Sequence, residues 1–249
     1  MAMRFDVSKL GCASFGILLT IGLLGCKAQP AKEAGFVESK DMKKDPTLPF
    51  NRVWFKKGFD FASYNKLYVA PVNTAYMLKM TDWQKGERQA DIEKDVAKLA
   101  TYTQDALKKA FREDPNHRFA VVDSPTTDPH TLVLEFALIE VVPSKVTLNA
   151  LGYAPFFIGL GVTAVRAVAQ DVSSAAFEAR VREAGTGEIV ATFADREQEQ
   201  MAVVSVRGLT WYSHAETIVR QWSDQFVKIA DRKPGEVIKE TDTFTLQPW

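Results

Sequence analysis

Thr131-Leu-Val-Leu-Glu-Phe-Ala-Leu-Ile-Glu-Val-Val142 is the stretch on which the fold turns. It is apolar on both of the faces that alternate along a strand, which predicts a central position in a sheet. Downstream, Ala176 to Glu183 alternates, with Phe177, Ala179 and Val181 inward and Glu178, Arg180 and Arg182 outward. Ala184-Gly185-Thr186-Gly187 supplies a turn, and Glu188 to Ala194 returns with Ile189, Ala191 and Phe193 on one face. Together these segments predict an antiparallel meander that ends in a β-hairpin.

Working outward, Lys66 to Val72 predicts a first strand and Arg118 to Val122 a second short one. Between them, Ile92, Val96, Leu99, Thr103, Ala106, Leu107 and Ala110 recur every three or four residues, which predicts a helix over Asp91–Arg112 with one buried stripe. Its basic end suits the helix dipole, and Asp114-Pro115-Asn116 stops it. A last helix is predicted over Trp211–Asp231, with Ala215, Ile218, Val219, Trp222, Phe226, Ile229 and Ala230 buried and Ser213 with Glu216 as a capping box. The expected fold is a single α/β domain over residues 51–249, a mixed, mostly antiparallel sheet with two main helices packed on it.

The amino terminus reads differently. Arg4 and Lys9 flank a charged start, and Leu10 to Leu24 is an uncharged apolar run of about 15 residues, which suits a signal peptide and is short for a membrane span. It ends in Leu23-Leu24-Gly25-Cys26, which resembles the lipobox of bacterial lipoproteins: an aliphatic residue, a tolerant position, a small residue, then the cysteine whose thiol takes the lipid. Residues 1–25 are therefore expected to be removed, with Cys26 lipidated. Cys12 leaves with the signal, so no internal disulfide remains. Residues 26–50 are polar with prolines, a flexible-tether composition in which about twenty extended residues reach roughly 70 Å. Lys27, rather than Asp, after the cysteine points by resemblance to enterobacterial sorting toward the outer membrane, facing the periplasm.

Trp54-Phe-Lys-Lys-Gly58-Phe-Asp60-Phe-Ala-Ser-Tyr64-Asn-Lys66-Leu-Tyr-Val69-Ala-Pro71-Val72 resembles the opening signature of a family of proteobacterial lipoproteins of unknown function, domain of unknown function 3313. Gly35-Phe36-Val37 is similar to that family's short Gly-Phe-Leu element, and the matching order runs on to the last helix. The resemblance implies a lipoprotein location and no enzyme chemistry. The fold is also similar to the α/β domains of curli-secretion and penicillin-binding-protein-activator lipoproteins, which carries no function across.

Chemistry-bearing clusters are scarce. Lys plus Arg and Asp plus Glu are 31 each, so the basic excess of a nucleic-acid binder is missing. His117, His130 and His214 share no helix face and read as surface or capping residues. His214-Ala-Glu216 lacks the downstream cysteines of a zinc deaminase. No Gly-x-Ser-x-Gly or Walker loop occurs. Gly159-Leu-Gly161-Val-Thr-Ala164 fits a dinucleotide fingerprint but lacks a βαβ setting. Asp195, Glu197 and Glu199 alternate on one strand face and form a candidate weak cation site or acid–base set; the bland reading is a solvated strand end. Nothing calls for a cofactor or metal.

Val146 to Val165 carries no charge and includes Tyr153, Phe156, Phe157 and Ile158. Three readings stand: a core or covering segment, an exposed loop touching lipid or a partner protein, and a membrane span weakened by Pro155 and its glycines. The function expected is a non-catalytic, lipid-anchored envelope protein that binds a protein partner. The alternative is a carboxylate-dependent enzyme acting on an envelope substrate through Asp195, Glu197 and Glu199.

Overall fold

The computed structural model describes residues 29–77, 89–143, 173–199 and 210–240. Within them six strands form one sheet: β1 (Arg52–Phe55), β2 (Lys66–Val69), β3 (Ala120–Val122), β4 (Thr131–Val142), β5 (Ser173–Glu183) and β6 (Ile189–Glu199). Helices α1 (Gln89–Arg112) and α2 (Ser213–Asp231) pack against each other and against the sheet. The spatial order is β1-β6-β5-β4-β2-β3. β1 to β4 are joined through β6 and β5 by antiparallel pairings, whereas β2 runs parallel to both β4 and β3. The expected mixed, mostly antiparallel α/β architecture is the one observed.

β4 lies inside the sheet, as its two apolar faces require. One face, with Leu134, Phe136 and Leu138, meets Leu99 and Leu107 of α1 and Trp222 and Phe226 of α2 in the main core. The other, with Ala137 and Ile139, packs against Ala176, Ala194 and a segment that precedes β1: Phe36, Val37 and Met42. The β5–β6 turn closes with the Gly187 N–H donating to the Glu183 carbonyl at 2.8 Å, and Gly187 takes φ +74°, a conformation a side chain disfavours.

Here the tether expectation fails. Only part of residues 26–50 can be free, because Phe36, Val37, Met42, Leu48 and Phe50 are all buried. Glu178 explains the attachment: its carboxylate accepts from the Ala34 N–H at 2.8 Å, Phe36 N–H at 2.8 Å and Val37 N–H at 3.1 Å. Arg180, next but one along β5, sits 4.4 Å over the Phe36 ring and donates to the Phe36 carbonyl. The residues read as outward on β5 do leave the main core, but Glu178 and Arg180 meet this strap instead of water, while Arg182 donates to Glu135 and to the Gly187 carbonyl.

Two smaller expectations change. β1 escapes the sequence reading because its four residues are too short to show alternation, and it is held by pairing Arg52–Phe55 with Ala191–Ala194. The capping box does not form: Ser213 is already helical, Tyr212 occupies the cap without a side-chain bond, and the Ser213 hydroxyl turns back to the Thr210 carbonyl.

Candidate functional site

Among the described residues, a cavity of about 460 Å³ lies at the end of the helix–sheet layer where both helices finish. Four regions build it. Phe55 and Lys56 at the end of β1 lead into Phe59 and Phe61, whose rings pack edge to face at 4.7 Å. Leu132, Leu134, Val181, Ala191 and Phe193 form the sheet floor. Phe111 closes α1, and Arg118 and Phe119 follow in the next loop. Phe226, Ile229, Ala230 and Arg232 come from the end of α2.

Local sequence explains why the wall is stable yet open. Asp114, buried after α1, accepts from the Asn116 and Arg118 N–H groups and lets His117 take φ +50°, which turns Arg118 back over the pocket rim. The Arg118 guanidinium donates to the carbonyls of Tyr64 at 2.6 Å and Phe61 at 2.5 Å and stacks 4.3 Å from the Phe119 ring. Asp60 caps the short 3-10 turn Phe61–Ser63 by accepting from the Ala62 N–H. Among the described residues, no carboxylate, histidine, serine or cysteine lines the cavity. It can enclose an apolar group; of its described lining, Lys56, ion-paired with Glu188, is the side chain with acid–base or nucleophilic capacity.

Sequence reading missed this site. The available signal was the aromatic run Phe55, Phe59, Phe61 within Trp54 to Val72, together with Phe119 beside Arg118. Neither has a strand or helix period, so neither registers as a buried face.

The acidic trio is placed differently from the solvated strand end expected. Asp195 is 2 % and Glu197 7 % exposed. Asp195 accepts from Trp222 Nε1 at 3.0 Å and from the Asn51 N–H at 2.9 Å, so it ties β6 to α2 and to the chain entering β1. That is a structural use of the carboxylate. The Glu199 side chain lies outside the described residues. No group of three or more metal-binding side chains occurs among the described residues.

His214 is also not a surface residue. It is buried, with Nε2 3.3 Å from the Ser174 carbonyl. Burial pushes it down to about 4, against the weaker upward pull of the Ser174 and Trp211 backbone. The folded value lies below the unfolded 6.5, so the contribution is complete above pH 6.5 and is lost as pH falls through about 4. The loss should reach roughly 3 kcal/mol. Urea midpoints at pH 7 and pH 4.5 check this. His214→Gln should show a smaller pH dependence than wild type, and equal dependence in both would remove His214 from the acid response. His130 Nδ1 lies 3.2 Å from the Ser63 carbonyl at the surface, and His117 occupies its turn.

Cys26, the apolar residues Tyr153, Phe156, Phe157 and Ile158, and the Gly159–Ala164 fingerprint lie outside the described residues. No helix among the described residues is long and apolar enough to cross a membrane.

No curated protein matches the chain. Among solved structures it is similar to a PelC dodecamer from Paraburkholderia phytofirmans (11% identity, 70% of this chain and 95% of that one, TM-score 0.36). It is also similar to the hypothetical protein CT253 from Chlamydia trachomatis (8% identity, 67% and 96%, TM-score 0.38) and to the lipoprotein GNA1162 from Neisseria meningitidis (12% identity, 68% and 99%, TM-score 0.25). The family described as "Protein of unknown function (DUF3313)" matches residues 32–226, and the chain belongs to that family.

Proposed function

We propose that this chain is an envelope lipoprotein, anchored through Cys26 at the periplasmic face of the outer membrane, and that it works by binding rather than catalysis. The observation that carries the binding half is the 460 Å³ cavity, with its apolar walls and no carboxylate, histidine, serine or cysteine among its described lining residues. The uncharged run Val146–Val165, through Tyr153, Phe156, Phe157 and Ile158, is proposed as a second contact, to lipid or to an envelope protein.

Two measurements test the proposal. Metabolic labelling with a clickable palmitate analogue should mark wild type and leave Cys26→Ser unlabelled; equal label on both would end the anchor reading. The mature chain from residue 26 onward, carrying Cys26→Ser, should bind the neutral dye Nile red saturably at one site. Ala230→Trp, on the half-exposed end of α2, should fill the mouth and abolish that binding with an unchanged circular dichroism spectrum. Dye binding that survives Ala230→Trp would place it elsewhere.

A further inference from the structure

We infer that the cavity takes one acyl chain headed by a carboxylate, a fatty acid of about laurate size. This deepens the proposed binding function and rests on it. Three side chains at the cavity are cationic, Lys56, Arg118 and Arg232, and none is acidic. Their bonds leave charge available. Arg118 donates only to neutral carbonyls. Arg232 donates to the Glu236 carbonyl and the Thr47 hydroxyl. Lys56 alone bonds a carboxylate, Glu188 at 2.6 Å, in a half-exposed pair that solvent weakens. Asp45 and Asp231 lie within electrostatic reach of Arg232 and Arg118, but neither lines the cavity.

The opposing field is smaller. The carboxyl ends of α1 and α2 finish here, each contributing about half a negative charge that falls off within a turn. Two guanidiniums without a bonded carboxylate exceed the helix ends, and Asp45 and Asp231 stand outside the lining, so it is the cavity wall itself, which carries cations and no acid, that favours an anion. The interior sets the rest of the ligand. Phenyl rings and aliphatic side chains offer almost nothing to hydrogen-bond, so the buried part must be hydrocarbon. At about 30 Å³ per heavy atom, the share of a liquid water molecule, 460 Å³ holds about fifteen such atoms. That suits one chain and is too small for a two-chain lipid.

The test is displacement of Nile red from the Cys26→Ser mature chain by laurate, dodecanol and dodecyltrimethylammonium. Laurate should displace about tenfold better than dodecanol, as a charge-assisted hydrogen bond implies, and the cation should be weakest. The double variant Lys56→Gln/Arg232→Gln should weaken laurate about tenfold and leave dodecanol unchanged. Arg118 is spared in that pair because it also joins the Tyr64 and Phe61 carbonyls. Laurate and dodecanol displacing equally, with neither affected by the double variant, would overturn the inference and leave the apolar pocket standing. Equal displacement by the cation would overturn it too. Failure of Nile red itself to bind would remove the binding function and, with it, the inference.

Discussion

Trp222→Ala should destabilise the protein by about 4–8 kcal/mol, lowering the thermal midpoint by roughly 10–25 °C. Trp222 is 1 % exposed, and its ring packs edge to face on Phe177 at 4.7 Å, which itself stacks on Phe136 at 4.7 Å. Truncation leaves a cavity where α2 meets the centre of the sheet, at a cost of about 3–5 kcal/mol for a large aromatic. It also removes the Nε1–H that Asp195 accepts in a buried site. Losing that donor costs a further 1–3 kcal/mol or so unless water enters the cavity. Trp222→Phe separates the two effects. It keeps most of the ring and should cost only about 1–3 kcal/mol, nearly all of it from the Asp195 bond. Urea unfolding of both variants checks this. A Trp222→Ala midpoint within error of wild type would mean that α2 does not seat this face on the sheet.

The legible parts of the fold are those with a clear period. β4 is legible at its observed bounds because both faces are apolar over its whole length, and the stripes of α1 and α2 are legible because three- and four-residue spacing matches the turn of a helix and not the alternation of a strand. The illegible parts are decided by what covers a face. Parity already puts Asp195 and Glu197 on the side of Ile189, Ala191 and Phe193, since alternation continues along β6. Polarity argues for water, and polarity loses: α2 covers that end of the strand, and Trp222 and Asn51 satisfy Asp195. His214 goes the same way, buried by its position in the first turn of a helix whose apolar face is plain in the sequence. The pocket has no period at all. It is assembled from the ends of β1, α1 and α2 and from the loops beside them, and such convergence is a property of the tertiary fold.

The strap before β1 is the least legible element and has the clearest consequence for an anchored protein. Phe36, Val37 and Met42 are spaced among polar residues and prolines, so their stretch reads as a tether until the uncovered face of the sheet is known. Seated as it is, the strap leaves only seven residues between Cys26 and Ala34, a reach of roughly 25–30 Å. The folded sheet would then stay close to the membrane in a lipidated chain. Glu178 is the group that holds this arrangement, being 1 % exposed and accepting from three strap N–H groups. Glu178→Ala should leave those donors without an acceptor and release the strap locally at about 3 kcal/mol, with a smaller fall in global stability. Hydrogen exchange at the Ala34, Phe36 and Val37 amides should accelerate about a hundredfold, while amides in β4 and β5 keep their protection. Glu178→Gln should fall between, because its amide keeps one acceptor oxygen and brings an NH₂ against the same donors. Unchanged protection at Phe36 and Val37 in Glu178→Ala would mean that apolar packing against Ala137, Ile139 and Ala176 holds the strap without the carboxylate.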